Sequence, residues 1–396
     1  MRIAQACFRF AAPGGAEEHV MQISKELVRR GHEVVVHTSD ILTETPWVRG
    51  EWPAGGRGTG GAGSLDGIEV VRHRAYIRPL SRRWSTLVIP DMVSGLLGER
   101  CDIYHAHSHR YFQLEAAASA ARARKRPLVV TPHYHPAERR EGARTRVLLK
   151  LYDLYSSAGI YSWASRVLTM TELEKKYLSS IVPATKCTTI GTGIDPGEWE
   201  EAPDPSLFKE RCGVERPYIL YSGRLASNKG LETLFETLPD IFRGWNGELV
   251  LVGKDWGMRE RLEEAARRGG FEARVRFIDF LSEREIYRAA IAGCELLVLP
   301  SEWEAFGIVL LEAAMCRRPV VATAVGGVPE VVHDGTTGIL VPYGDTRALS
   351  DAVTALLSDP ARGARMGERA RELVLERYTW PKVVDRILRV YKEILG

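Results

Sequence analysis

The 396-residue chain has few cysteines: Cys7, Cys101, Cys187, Cys212, Cys294 and Cys316, scattered and with no Cys-x-x-Cys pair. That spacing excludes a disulfide miniprotein and points to buried free thiols in a reducing compartment. No window approaches about 18 uninterrupted apolar residues, so no segment is expected to span a membrane. Met1-Arg2-Ile3-Ala4 leads straight into a strand rather than a signal-peptide core, which makes the cytoplasm the expected location. No repeat of 20–50 residues recurs. Lysine is scarce, 11 against 43 arginines, and supports no functional assignment.

Net charge is small as well, +3 for the whole chain, so this is no polycation. The average hides an asymmetry: residues 71–150 carry 16 Lys/Arg against 6 Asp/Glu. One lobe is therefore basic, and an anionic partner (lipid headgroup, phosphate or nucleic acid) has to be weighed. A content of 45% hydrophobic and 27% charged residues fits an ordinary globular protein, and the length fits two domains of about 150–200 residues.

Ile3–Phe8 reads as a buried strand, Ala12-Pro13-Gly14-Gly15 as a loop, and residues 16–30 as a helix with Val20, Ile23 and Leu27 on one face. Gly31 ends it, and Glu33–His37 is a second strand, so the chain opens with a βαβ unit and a parallel sheet. Residues 50–67 are glycine-rich and read as a surface loop. Strands follow at Asp102–Ala106 and Leu128–Thr131, around a helix over 113–124. A second alternation begins near residue 217, with strands at Tyr218–Ser222, Leu249–Val252, Val275–Ile278, Leu296–Leu299, Val320–Thr323 and Ile339–Val341. Two doubly wound units in tandem are expected, joined where Gly191, Gly193, Pro196 and Gly197 cluster. The last helix, Pro381–Leu395, has an apolar row (Val383, Val384, Ile387, Leu388, Tyr391) that needs a surface to cover.

Several segments carry chemistry. Gly14-Gly15 lets backbone N–H groups approach an anion at a helix N-terminus, although G-x-G-x-x-G is absent, and a plain tight turn explains it equally well. Arg224 and Lys229, five residues apart across a strand-to-helix loop, suit a clamp on two phosphates. In Pro300–Glu312, Glu304 sits in a loop after a strand, Gly307 permits close approach, and Glu312 lies in the next helix. The two carboxylates can accept bonds from sugar hydroxyls, while N–H groups at Phe306, Gly307, Ile308 and Val309 can face a diphosphate. A glycosidase pair is disfavoured, since such carboxyls stand about 5–10 Å apart across one bond. His105, His107, His109, His133 and His135 gather at two strand ends; they can line a cleft or satisfy core hydrogen bonds, and zinc ligation is the lesser reading. Arg139, Arg140, Arg144, Arg146 and Lys150 accompany Val147, Leu148, Leu149, Leu151 and Leu154. This basic amphipathic stretch suits either contact with anionic lipid or a solvated helix over the core.

Together these segments resemble glycosyltransferase family 4 over nearly the whole chain. The resemblance rests on Gly14-Gly15-Ala16-Glu17, Asp102-Ile103-Tyr104-His105-Ala106-His107 and Thr131-Pro132-His133 in the first half. In the second half it rests on Gly223-Arg224 with Lys229-Gly230, Glu304 to Glu312 with seven residues between, Gly326-Gly327-Val328-Pro329-Glu330, and Gly335 with Gly338. Gly191-Thr192-Gly193-Ile194-Asp195, Gly253-Lys254-Asp255-Trp256 and Phe280 depart from the family pattern, and the last two leave the nucleotide base open.

The resemblance implies an α/β GT-B fold, two Rossmann-like doubly wound parallel-sheet domains facing each other across a cleft. Residues 1–191 would bind the acceptor, completed by the crossing helix 380–396, and residues 192–379 would bind the nucleotide sugar. It implies a retaining hexosyl transfer from a UDP- or GDP-sugar to a hydroxyl acceptor (glycolipid, polysaccharide, small sugar or polyol) by front-side displacement, with no cofactor, no metal and no nucleic-acid partner. Arg224 and Lys229 would neutralise the departing diphosphate, Gly15 beside Gly14 would offer it an N–H, and Glu312 would bind the ribose. Glu304 would bind the sugar hydroxyls, and His133 would sit near the reacting carbon. Contact with the inner face of an anionic membrane stays open. The alternatives are a sugar-nucleotide epimerase or a phosphorylase of the same fold and, more distantly, an NAD-dependent oxidoreductase using Asp40.

Overall fold

A computed structural model describes the chain except residues 11–13, 45–46, 50–61, 80–84, 135–142 and 202. The chain divides into two compact units: Met1–Thr192 together with Trp380–Gly396, and Gly193–Thr379. The sequence reading drew the first division one residue earlier.

The strands of the two large sheets are numbered in chain order. In the first unit they are β1 (Arg2–Ala6), β2 (Glu33–Ser39), β3 (Ala62–Leu65), β4 (Ile68–His73), β5 (Ile103–His107), β6 (Leu128–Thr131), β7 (Arg166–Thr169) and β8 (Cys187–Thr189). Their order is β8-β7-β6-β5-β1-β2-β4-β3, parallel except for the β3–β4 hairpin. The strands are apolar on both faces because helices cover both. Ala4, Val35, Tyr104 and Val130 pack into a core with Leu96 and Leu114, from the helices Pro90–Gly98 and Phe112–Arg124. Their strand neighbours Ile3, Val34, Val36, Ile103 and Val129 pack into another core with Leu27 of the helix Gly15–Arg29 and with the last helix.

That last helix, Trp380–Leu395, buries Val383, Val384, Ile387 and Tyr391. It is pinned to this unit by polar contacts. Tyr391 Oη hydrogen-bonds His105 Nδ1 at 2.7 Å, Arg386 Nε donates to the Ile190 carbonyl at 2.8 Å, and Arg30 pairs with Asp385 at 2.5 Å.

The second unit holds β9 (Tyr218–Ser222), β10 (Glu248–Val252), β11 (Val275–Ile278), β12 (Leu296–Leu299), β13 (Val320–Thr323) and β14 (Ile339–Val341) in the all-parallel order β11-β10-β9-β12-β13-β14. Successive connections run outward in opposite directions from β9 and β12. The loops after these two strands therefore meet where open α/β sheets bind ligands.

Four strands of the two large sheets, β3, β4, β7 and β8, were not read from the sequence, and neither were two small hairpins, Ile41–Glu44 with Trp47–Arg49 and Tyr76–Pro79 with Ser85–Val88. β3 belongs to the glycine-rich stretch expected to be a loop, whose residues 50–61 lie outside the described ones. Asp66 (φ 52°) and Gly67 (φ 78°) form the two-residue turn between β3 and β4, and an Asp-Gly pair is a hairpin signal.

Candidate functional site

In the second unit, β9 ends at Ser222 and the chain passes Gly223-Arg224 to the turn Ser227–Lys229. Gly230 follows in a left-handed conformation (φ 64°), and a Cβ there would lie 1.9 Å from the Pro300 carbonyl oxygen. Only glycine lets the loop after β9 press against the loop after β12 this closely. Glu302 N donates to the Asn228 carbonyl at 3.0 Å and ties the two loops together. Lys229 is thereby brought to Glu304, Nζ to Oε1 at 2.5 Å, and Ser301 Oγ donates to the same oxygen at 2.8 Å.

Glu304 is also held through its backbone. Its carbonyl accepts from Gly327 N at 3.0 Å, and a Cβ on Gly326 (φ 55°) would come within 1.7 Å of that oxygen. Gly326-Gly327 thus acts as a seat for Glu304. Helix Ile308–Met315 then begins after Gly307 (φ 83°), and no side chain caps its N-terminus among the described residues. The N–H groups of its first turn point to where an anion would be stabilised. Phe306 is buried edge-on against Tyr378, with ring centroids 5.5 Å apart, so it can offer a ligand its backbone but not its side chain.

Arg224 is exposed and lies over the Trp256 ring, 4.8 Å from the centroid. The placement follows from backbone pairing: Leu225 N donates to the Lys254 carbonyl and Trp256 N to the Leu225 carbonyl, both at 3.0 Å. Gly253 lets these loops meet, since a Cβ there would lie 1.9 Å from the Gly223 oxygen. An aromatic face orients a guanidinium without neutralising it. Lys229, by contrast, already faces a carboxylate. Trp256 and Phe280, 56% and 70% exposed, are large aromatics left uncovered after β10 and β11.

Glu312 is buried. Its Oε2 accepts from Tyr287 Oη at 2.6 Å and its Oε1 from Arg284 Nη1 at 3.0 Å. Tyr287 also lies 3.1 Å from Ser222 Oγ, and Arg284 pairs with Glu198 and faces the Trp199 ring. Burial pushes the Glu312 carboxyl above its ordinary value, opposed by Arg284 and Tyr287. Glu304 and Glu312 thus have separate partners.

In the first unit, Gly14 precedes the helix Gly15–Arg29, and the Glu17 side chain lies over it, paired with Arg9 at 2.6 Å. His133 follows β6 with φ 46°, its ring 5.2 Å from that of His19 and 6.2 Å from that of His107. His107 Nε2 donates to Gln5 Oε1 at 2.8 Å, Gln5 Nε2 donates to Ser24 Oγ, and Ser24 donates to the Val20 carbonyl. His105 bonds Thr131 Oγ1 at 2.8 Å as well as Tyr391. Burial lowers the pKa of His105 to about 3 and those of His19 and His107 well below the ordinary value, so these rings are neutral. His109 bonds Asp153 at 2.9 Å and Tyr161 at 3.0 Å. Among the described residues no three His, Cys, Asp or Glu side chains are grouped to hold a metal ion, and His135 lies outside those residues.

Residues 205–373 match the family described as glycosyl transferases group 1, and residues 13–198 match glycosyltransferase family 4. The chain belongs to glycosyltransferase family 4. One family 4 relative is an uncharacterised glycosyltransferase of Methanocaldococcus jannaschii, 28% identical over 97% of this chain and 96% of that one. Another is a phosphatidyl-myo-inositol mannosyltransferase of Mycobacterium leprae, 27% identical over 100% of this chain and 97% of that one. Among solved structures, HepE of Anabaena in complex with UDP and glucose superposes with a TM-score of 0.76 at 20% identity, covering 99% of this chain and 100% of that one. The two units have the GT-B architecture, and the family 4 chain is a glycosyltransferase. Nothing in these likenesses supports the epimerase, phosphorylase or oxidoreductase readings.

The structure brings Lys229 and Glu304 into one cluster, with Arg224 on the adjoining loop after β9. It places Gly14, Gly15 and His133 in the other unit. Sequence reasoning missed the roles of Ser301, which bonds Glu304, of Tyr287 and Arg284, which bond Glu312, and of Ser222, which bonds Tyr287. Ser301 lies within Pro300–Glu312, but no motif announces Tyr287 and Arg284, which meet Glu312 only in the fold. Trp256 was noticed as a departure from the family pattern, but its stacking on Arg224 was not foreseen.

Proposed function

We propose that this glycosyltransferase moves a hexosyl group from a UDP- or GDP-sugar to a hydroxyl acceptor, with retention and without a metal ion. The observation that carries the donor assignment lies at the switch point of the second unit, where the loop bearing Arg224 and Lys229 is tied to the loop that leads from Glu304 into an uncapped helix N-terminus. Two cations and a helix dipole can take up the charge that grows on a departing diphosphate, the work a divalent ion does elsewhere. Glu304, already hydrogen-bonded by Lys229 and Ser301, retains lone pairs for donor sugar hydroxyls, and Glu312 offers the same to ribose hydroxyls. Gly15 and His133 are assigned to the donor on the family resemblance alone.

In this reading the C1–O bond to the β-phosphate breaks as the acceptor oxygen bonds C1 from the same face. The acceptor proton passes to the departing phosphate oxygen. Donor hydrolysis and transfer measured with excess EDTA test the metal-free part: unchanged rates are expected, and a rate abolished by EDTA and restored by Mg²⁺ or Mn²⁺ would refute it.

A further inference from the structure

The helix Ala143–Ser156 has one face committed to the protein and another that, among the described residues, is mostly exposed. On the committed side Leu149 is buried, Tyr152 Oη donates to Glu115, and Asp153 accepts from His109 and Arg110. Val147, Leu148, Leu151, Leu154 and Tyr155 project on the other side, each 56–69% exposed. At 100° per residue these five fall within about 120° of arc, a continuous apolar stripe. Of the leucines in this amphipathic stretch, Leu149 is buried, while Leu148, Leu151 and Leu154 are exposed.

Exposed apolar residues gathered on one helix face mark an interaction surface. We infer that this face docks on a lipid bilayer bearing anionic headgroups. The charges select that occupant. Arg146 and Lys150 are exposed on the same helix, and its single acidic residue, Asp153, is turned inward and paired with Arg110 at 2.9 Å. Lys150 therefore borders the apolar stripe, Arg146 is exposed one turn before that lysine, and the stripe itself carries no carboxylate, the chemistry of a helix lying in a headgroup layer. The sequence in which the helix lies, residues 71–150, has a net charge of the same sign, 16 Lys/Arg against 6 Asp/Glu. A bilayer accepts the helix lengthwise, and among the described residues no helix is long and apolar enough to cross one. The inference is independent of the donor reading, because it is tested by binding rather than turnover.

The test is flotation of the full chain with vesicles of phosphatidylcholine alone or with one third phosphatidylglycerol, at low and high salt. The expected result is flotation with the anionic vesicles, reduced by salt, and little with phosphatidylcholine. Leu148→Ser/Leu151→Ser/Leu154→Ser should abolish it. Arg146→Glu/Lys150→Glu, which leaves the apolar stripe intact, should weaken partition by roughly tenfold. Unchanged circular dichroism in both variants separates lost binding from lost folding. Wild-type protein that stays unbound by anionic vesicles at low salt would overturn the inference. So would equal flotation of the triple serine variant, or a wild-type dimer in light scattering that this variant converts to monomer.

Discussion

The ends of the parallel strands in the two units are furnished in opposite ways. In the first unit they carry histidines, buried, hydrogen-bonded inward and held neutral by burial. In the second they carry permanent charges: an exposed Arg224 on an aromatic face, Lys229 against Glu304, and Arg284 against Glu312. Nine of the ten histidines lie in the first unit and only His333 in the second. One sheet architecture thus supports two settings: neutral histidines with the paired Arg9–Glu17 and Arg110–Asp153 in the first unit, and an exposed Arg224 held on an aromatic face in the second. The architecture alone does not distinguish the two units.

The largest expected effect separates the units by pH. His105 titrates at about 3 and His73 at about 4 in the fold, against about 6.5 unfolded, so between those values the unfolded chain binds more protons. Their stabilisation is therefore complete above pH 6.5 and is lost as pH falls toward 4. Between pH 7 and pH 5 each group should cost the first unit about 2 kcal/mol. Hydrogen exchange at the two pH values should show weakened protection in β1, β5 and β6 and little change in β9 and β12. Equal weakening of both sheets would erase the distinction.

Removing the exposed cation comes next. Arg224→Ala should lower kcat about 10²-fold with an unchanged far-ultraviolet spectrum, as expected for a donor aimed at developing charge. Lys229→Ala should act similarly, with less than additive loss in the double variant if both meet one phosphate. Steady-state kinetics check both, and wild-type turnover in Arg224→Ala would dissolve the clamp. Gly326→Ala comes third: its Cβ would strike the Glu304 carbonyl, so the seat must shift. A loss of about 1–3 kcal/mol in stability is expected, with a fall in kcat/KM that Ala at Gly335, where a Cβ meets nothing, does not cause. The smallest effect tests the stacking. Trp256→Ala should reduce kcat/KM about threefold to fivefold, and Trp256→Phe should restore most of it. Equal loss in both variants would mean that the ring does not orient Arg224.

The fold was largely legible because both units follow one alternation, and buried parallel strands announce themselves as short β-branched runs. Tyr218–Ser222, Val275–Ile278, Leu296–Leu299 and Val320–Thr323 have in the structure the limits read from the sequence. β3 and β4 were missed because the glycine richness of residues 50–67 outweighed the Asp66-Gly67 turn between them, and β7 (Arg166-Val167-Leu168-Thr169) and β8 (Cys187-Thr188-Thr189) because neither carries an apolar run. In the site, Arg224, Lys229, Glu304 and Glu312 were readable from spacing after strands. Their partners were not: Arg284 and Tyr287 reach Glu312 across 28 and 25 residues, and Ser301, only three residues from Glu304, bonds it through a loop turn that spacing does not reveal. The exposed leucines of Ala143–Ser156 show a different limit, since periodicity revealed an amphipathic helix but not which side met the protein.

The most direct test of the central claim, that the charged strand ends of the second unit hold the diphosphate, is calorimetric titration in EDTA. UDP, GDP, uridine and guanosine would each be titrated into wild type and Arg224→Ala. The account predicts that one of the diphosphates binds wild type without added metal, that Arg224→Ala weakens this by at least about tenfold, and that the weaker binding of the matching nucleoside is unchanged. Equal affinity of both proteins for the diphosphate, or binding that appears only when Mg²⁺ is added, would contradict it.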